Sequence, residues 1–126
     1  MTEVKIPEGY QTVMPYLILT NAVDFFKFTE NVFDAKEKMK MLTHDSSLMH
    51  GEITIGDSTI MFGNASEAWG VQNAGLYVYV KNADDTFKKA LQQGATIVQE
   101  MKDQDYGRSG GVTDPFGNVW WITSPK

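Results

Sequence analysis

Cysteine is absent, histidine occurs twice and arginine once. Without cysteine, the chain has no disulfides, thiolate metal sites, iron–sulfur clusters or nucleophilic thiol. Only His44 and His50 supply imidazole, too few for a multi-histidine metal cage within one chain. Long hydrophobic runs are also missing. The apolar stretches are a handful of residues, against the roughly 20 that a membrane-spanning helix needs. The opening segment Met1-Thr2-Glu3-Val4-Lys5-Ile6-Pro7 has no apolar signal-peptide core. With 11 basic and 16 acidic residues, the net charge of −5 comes without a basic cluster, which argues against nucleic acid as a partner. What is present is a chain of 126 residues, 42% of them apolar. That is enough for one domain burying about two-thirds of its unfolded surface. The expectation is a single cytoplasmic domain over residues 1–126, associated with neither membrane nor nucleic acid.

The chain resembles itself. Tyr16-Leu17-Ile18-Leu19-Thr20-Asn21-Ala22-Val23-Asp24-Phe25-Phe26 aligns with Tyr77-Val78-Tyr79-Val80-Lys81-Asn82-Ala83-Asp84-Asp85-Thr86-Phe87, an offset of 61 residues. Each copy reads as a β-run followed by an amphipathic helix. Asn21 and Asn82 are expected to cap these helices by accepting from a free backbone N–H, with Asp24 and Asp85 in the first turns. The first helix is predicted over Ala22 to Phe33, and the second closes at Gly94. β-segments are predicted at Glu37–Leu42, Leu48–Ile55, Thr59–Gly63, Ala95–Met101, Gly110–Thr113 and Asn118–Thr123. Gly56-Asp57 reads as a hairpin turn and Asp114-Pro115-Phe116-Gly117 as a type I turn. The fold class that follows is α+β: two tandem βαβββ modules, about 10–63 and 73–124, joined by a polar linker at 64–72.

Three segments carry a family resemblance: Thr12-Val13-Met14-Pro15-Tyr16-Leu17, Met49-His50-Gly51-Glu52-Ile53-Thr54-Ile55-Gly56-Asp57, and above all the run from Gly107 to Trp121 that contains Asp114-Pro115-Phe116-Gly117-Asn118. Together they resemble the vicinal oxygen chelate superfamily of glyoxalase I, bleomycin-resistance proteins and extradiol dioxygenases, and within it the PhnB-like branch. The resemblance implies a half-open barrel around a cavity, a homodimer, and in catalytic members a divalent metal held from the first and last strands of each module. Those positions fall here on Met14, Gly75, Met61 and Trp121. A glycine has no side chain to coordinate and a thioether is a soft donor, so no metal and no cofactor is expected.

Strand alternation then assigns the cavity wall. Met14, Tyr16, Ile18, Gly75, Tyr77, Tyr79, Val119, Trp121 and Thr123 are expected to face inward. Val13, Leu17, Leu19, Leu76, Val78, Val80, Trp120 and Ile122 are expected to face the helices. A two-residue turn at Gly56-Asp57 sets Glu52 opposite Met61, with His50, Glu52 and Thr54 inward. Pairing Thr113 with Asn118 puts Val112, Gly110 and Arg108 on the face of Trp121. The expected ligand-binding set is Tyr16, His50, Glu52, Met61, Tyr77, Tyr79, Arg108 and Trp121.

Each of these has a plainer alternative. The tyrosines can form a half-buried sheet face, and His50 with Glu52 a structural hydrogen bond. Arg108 can cap a loop or cross a dimer interface instead of holding a carboxylate. The stretch from Tyr106 to Gly111 is a mobile rim or a bulge, and Trp69 covers a pocket or meets a second subunit. The reading favoured is a metal-free, dimeric protein that binds a small planar or aromatic molecule. The alternatives are a glyoxalase-related enzyme (lyase or dioxygenase type) using His50 and Glu52, with a displaced metal or by acid/base chemistry, and a scaffold whose interface consumes the aromatics.

Overall fold

The computed structural model describes residues 3–126; Met1 and Thr2, the start of the segment read for a leader, lie outside the described residues. The elements run β1 (Tyr16–Leu19), α1 (Val23–Phe33), β2 (Lys36–Leu42), β3 (Leu48–Ile55), β4 (Ser58–Asn64), β5 (Gly75–Tyr79), α2 (Ala83–Gln92), β6 (Thr96–Gln104), β7 (Gly107–Thr113) and β8 (Val119–Pro125). This is βαβββ twice. Each module is one four-stranded sheet, ordered β1-β4-β3-β2 and β5-β8-β7-β6, and the two sheets are not closed on one another. The first strand of each module runs parallel to the last, opposing Tyr16 to Met61 and Tyr77 to Trp121. Among the described residues, no helix is long and apolar enough to cross a membrane.

Apolar spacing explains the helices. The face of α1 bearing Phe25, Phe26, Phe28, Val32 and Phe33 is buried, and its rings reach both modules. Phe25 meets Phe62 of β4 at 4.8 Å, Phe116 of the β7–β8 turn at 5.4 Å and Trp120 of β8 at 6.4 Å between centroids. Phe33 approaches Trp120 to 4.4 Å. Packing both modules around α1 leaves each sheet with a covered face and an open one. Leu17, Leu19, Val78, Trp120 and Ile122 are buried toward the helices, as alternation requires.

Helix entry differs between the modules. Asn82 accepts from the Asp85 N–H at 3.1 Å, the expected cap. Asn21 does not cap: it sits at φ 56°, and the residue at the N-cap of α1 is Ala22, which has no side-chain acceptor to cap with. Its helix end is served from the far end of β4, where Asn64 Oδ1 accepts the Ala22 N–H at 2.9 Å. Ser124 plays the corresponding part for α2, accepting from Ala83 N at 2.6 Å. The sequence offered Asn21 because it precedes the helix, but a left-handed backbone there turns the side chain away from the cap position.

The β3–β4 hairpin has the expected register, Ile55 opposite Ser58 and Glu52 opposite Met61. Gly56, at φ 58°, supplies the left-handed residue that such a two-residue turn demands. The β7–β8 register corrects the expectation by one residue. Asp114 N donates to Asn118 O at 2.8 Å, so five residues form the connection and Thr113 opposes Val119, not Asn118. Gly107–Gly111 belongs to regular strand β7, and its irregularities lie in the pairing with β6. Val13 precedes β1 and is exposed, so it contributes nothing to the core.

Candidate functional site

On the open face of the first sheet, alternation brings Tyr16, His50, Glu52 and Met61 together. Glu52 is only 3% exposed, an uncommon situation for a carboxylate, and its partners explain it. Tyr10 O–H donates to Glu52 Oε1 at 2.6 Å, and His50 Nε2 lies 2.7 Å from Oε2. Burial pushes the Glu52 pKa up. Hydrogen bonds from Tyr10 and His50, with the charges of His50 and Lys38, outweigh it and hold the carboxyl below its ordinary 4.5. An ionised carboxylate only accepts, so Nε2 carries a proton toward Glu52, and in the neutral form of the ring Nδ1 is the acceptor. Tyr16 Oη lies 3.0 Å from Nδ1 and donates to it when the ring is neutral.

Tyr16 also borders a cleft of about 1020 Å³, along with Ile18, Met49, Gly63, Trp69 and Gln72. The linker shapes this cleft: Gln72 pairs with Ile18 through backbone bonds of 3.0 and 2.8 Å, which carries Trp69 to the rim. Trp69 lines this cleft and is an exposed side chain.

The open face of the second sheet is aromatic. Tyr77 and Tyr79 meet edge to face at 5.4 Å, and Trp121 is the register neighbour of Tyr77. A Cβ on Gly111 would fall 2.5 Å from the Trp121 ring, so the indole lies directly across the strand and only glycine leaves it room. Below it, Ser109 and Thr123 share a buried hydrogen bond of 2.8 Å. Among the described residues, no hydrogen bond or ring contact joins this aromatic face to the His50–Glu52 cluster.

Arg108 is not on the face of Trp121. The corrected register sets it opposite Ser124, toward α2, with Val112 and Gly110 on that same side. There its Nε and Nη2 donate to Asp84 at 2.8 and 3.1 Å, and Nη1 to Asp103 at 3.2 Å. The hydrogen bond to Arg108 lowers the Asp84 pKa, and Asp84 followed by Asp103 raises that of the guanidinium. The single arginine closes the first turn of α2 and is not a free cation in the site.

The superfamily metal does not fit these residues. Met14, Met61, Gly75 and Trp121 stand at the positions named for it, and Gly75 has only open space beside it. Among the described residues, no group of three or more His, Asp or Glu could hold a metal ion. Tyr10 and Lys38, which complete the Glu52 cluster, carry no signal in the sequence. Lys38 sits at an irregularity of β2, where the pairing skips between Glu37 and Met39, and its Nζ lies 3.6 Å from the Tyr10 ring centroid.

A titration follows from this geometry. Glu52 has a lowered pKa in the folded chain, so its stabilisation is complete above the unfolded value and is lost as pH falls through the folded one. Glu52→Gln is expected to lower the thermal midpoint at neutral pH. The difference from wild type should shrink as pH drops below 4.5, the ordinary carboxyl value. Melting curves across the acid range check this; a constant difference would contradict it.

Comparison with known proteins places the chain. The family model described as Glyoxalase/Bleomycin resistance protein/Dioxygenase superfamily matches residues 17–122. An uncharacterised protein of Mycobacterium bovis is 29% identical over 123 residues, spanning 88% of this chain and 81% of the relative. Among solved structures, TioX from Micromonospora sp. ML1 aligns with a TM-score of 0.72 at 22% identity, covering 92% of this chain and 97% of its own. TnmS3 from Streptomyces sp. CB03234, described as an antibiotic binding protein, aligns with a TM-score of 0.70 at 12% identity, covering 93% and 100%. At these identities the two structures speak for the fold.

Proposed function

The chain belongs to the glyoxalase/bleomycin resistance protein/dioxygenase superfamily, and from that premise we propose that it binds a small planar or aromatic molecule without a metal, in a cavity completed by homodimerisation. The observation that carries this is the exposure of aromatic side chains on both open faces: Tyr16 is 47%, Tyr77 50% and Tyr79 66% exposed. Contiguous exposed aromatic surface on a folded domain marks a place that something covers. A two-fold axis that set the first open face of one chain against the second open face of its partner would create two equal cavities. Each would be walled by Trp121 and the tyrosines and carry the His50–Glu52 pair. Stacking on such walls contributes about 0.5–1.5 kcal/mol per aromatic pair beyond area burial. The antibiotic-binding description of TnmS3 supports a small molecule as the occupant. The motifs from Met49 to Asp57 and from Gly107 to Trp121 support the PhnB-like branch, and the composition supports a cytoplasmic protein.

The hydrogen-bonded series Glu52, His50, Tyr16 supports a second reading. A buried carboxylate that fixes an imidazole tautomer, with a phenol on the other nitrogen, is also an arrangement for moving a proton at the Tyr16 oxygen. On this reading the chain is a metal-free enzyme, and His50 is its acid/base.

Titration with fused-ring aromatics such as acridine, followed by tryptophan fluorescence, tests the binding reading. Saturable quenching is expected, together with a sedimentation mass twice that of the chain. No response across a broad aromatic panel would favour a scaffold instead. Incubation with Ni²⁺, Zn²⁺, Mn²⁺ or Fe²⁺ followed by desalting is expected to leave no stoichiometric metal. Metal retained by wild type and lost in Glu52→Ala would overturn the metal-free reading.

A further inference from the structure

The segment before β1 crosses the open face of the first sheet, and it is anchored there by few groups. Residues 3–9 are exposed and pair with no strand. A turn with Tyr10 N donating to Pro7 O at 3.2 Å brings Gly9 and Tyr10 down onto the sheet. The Gly9 carbonyl accepts from Lys38 Nζ and, at 2.9 Å, from Thr59 Oγ1. Tyr10 is then inserted as a ligand would be: its hydroxyl donates to buried Glu52 at 2.6 Å, and the Lys38 ammonium stands 3.6 Å from its ring centroid. Beside it, an apolar pocket of about 310 Å³ lies between this strap and Met14 and Met61. Gln11 Oε1, on the same segment, is buried without a hydrogen-bond partner.

Two side-chain acceptors stand together here. Glu52, held ionised, accepts only, and Gln11 Oε1 is an unused acceptor. Above them is a cation suited to the face of an aromatic ring. We infer that Tyr10 is an internal stand-in for the ligand, and that the Glu52–Lys38 subsite takes a hydroxylated aromatic ring which displaces it. The ring would lie under Lys38, with a phenolic hydroxyl on Glu52 Oε1. This rests on reading the open face as a ligand site, and narrows the ligand from a planar aromatic to one bearing a hydroxyl donor. A strap with so few buried apolar contacts belongs to the low-stability end of the molecule, so its release competes with ligand binding on modest terms. Apparent affinity is then the intrinsic affinity reduced by the fraction of molecules with the strap open.

The test uses p-cresol, which is the tyrosine side chain as a free molecule, on the full chain. Tyr10→Ala vacates the subsite and is expected to bind p-cresol saturably by calorimetry or saturation-transfer NMR. Wild type should bind it more weakly, and Tyr10→Phe, which keeps the ring and gives up the hydroxyl bond, should fall between. Toluene, without a donor, should bind Tyr10→Ala at least about tenfold more weakly, as should p-cresol to the Tyr10→Ala, Glu52→Gln double variant. If Tyr10→Ala does not fold, the order of Tyr10→Phe over wild type carries the test. Absence of p-cresol binding in the folded variants, or equal binding of p-cresol and toluene, overturns the inference. Acridine quenching of wild type separates the two levels: if it persists while p-cresol fails, the ligand-site reading stands and the stand-in does not. If both fail, the ligand-site reading falls with it.

Discussion

Asp114→Ala is expected to destabilise the chain by about 3–5 kcal/mol, because several buried N–H donors lose their acceptor at about 1–3 kcal/mol each. Asp114 is buried, and both its oxygens are fully used. Oδ1 accepts from Phe116 N at 2.8 Å and Asn118 N at 2.9 Å; Oδ2 accepts from Asn118 Nδ2 at 3.0 Å and Trp120 Nε1 at 2.8 Å. Alanine would leave the fully buried Asn118 amide and the Trp120 indole N–H without an acceptor. The damage spreads because Asn118 Oδ1 in turn accepts from Ala74 N at 3.1 Å and Asn73 Nδ2 at 3.2 Å, which ties the residues just before β5 to the β7–β8 turn. Asp114→Asn restores one acceptor but turns an N–H toward a donor, so it should recover only part of the loss. Denaturant unfolding of the three proteins checks this. A loss below about 1 kcal/mol for alanine would mean that water replaces the carboxylate, contrary to its burial.

Two adjacent tryptophans should respond in opposite ways. Trp120 is 1% exposed and packs on Phe25 and Phe33. Trp120→Ala opens a cavity in the core shared by both modules and should cost about 3–5 kcal/mol. Trp121, one residue on, faces the open side with its ring across Gly111 and is only partly buried. Trp121→Ala should cost under about 2 kcal/mol of stability. It should weaken acridine binding by about tenfold or more, the size expected on losing a central aromatic anchor. Thermal melts and fluorescence titrations on both variants give the comparison. If Trp121→Ala unfolds the chain while leaving binding intact, Trp121 belongs to the core and the ligand site must lie elsewhere.

Much of this was legible in the chain itself. The internal repeat announced two βαβββ modules because each copy must build the same sheet-and-helix unit to bury its apolar face. The β3–β4 register was legible down to Glu52 opposite Met61, since a two-residue turn leaves the strands one way to pair. The same reasoning missed β7–β8 by one residue. The Asp-Pro-Phe-Gly turn is there, with Gly117 N donating to Asp114 O at 3.1 Å, but the Asp114 carboxylate draws Asn118 into the connection as well. Side chains alternate with a period of two, so that single residue moved Arg108 from the open face to Asp84 at the start of α2. Tyr10 and Lys38 carried no readable signal. Tyr10 lies outside any periodic element, and the irregularity in β2 that aims Lys38 inward is invisible in its lysine-rich sequence.

From its sequence alone, then, this chain determined its modules and the core faces of its helices and strands. All of these follow from local periodicity and residue chemistry. The tertiary structure decided which polar groups meet. Asn64 rather than Asn21 serves α1, Arg108 is spent on a helix end, and a segment ahead of the first strand places Tyr10 on Glu52, 42 positions away. Burial obliges each charge and each free backbone group to find a partner, and only the folded chain determines which partners are within reach.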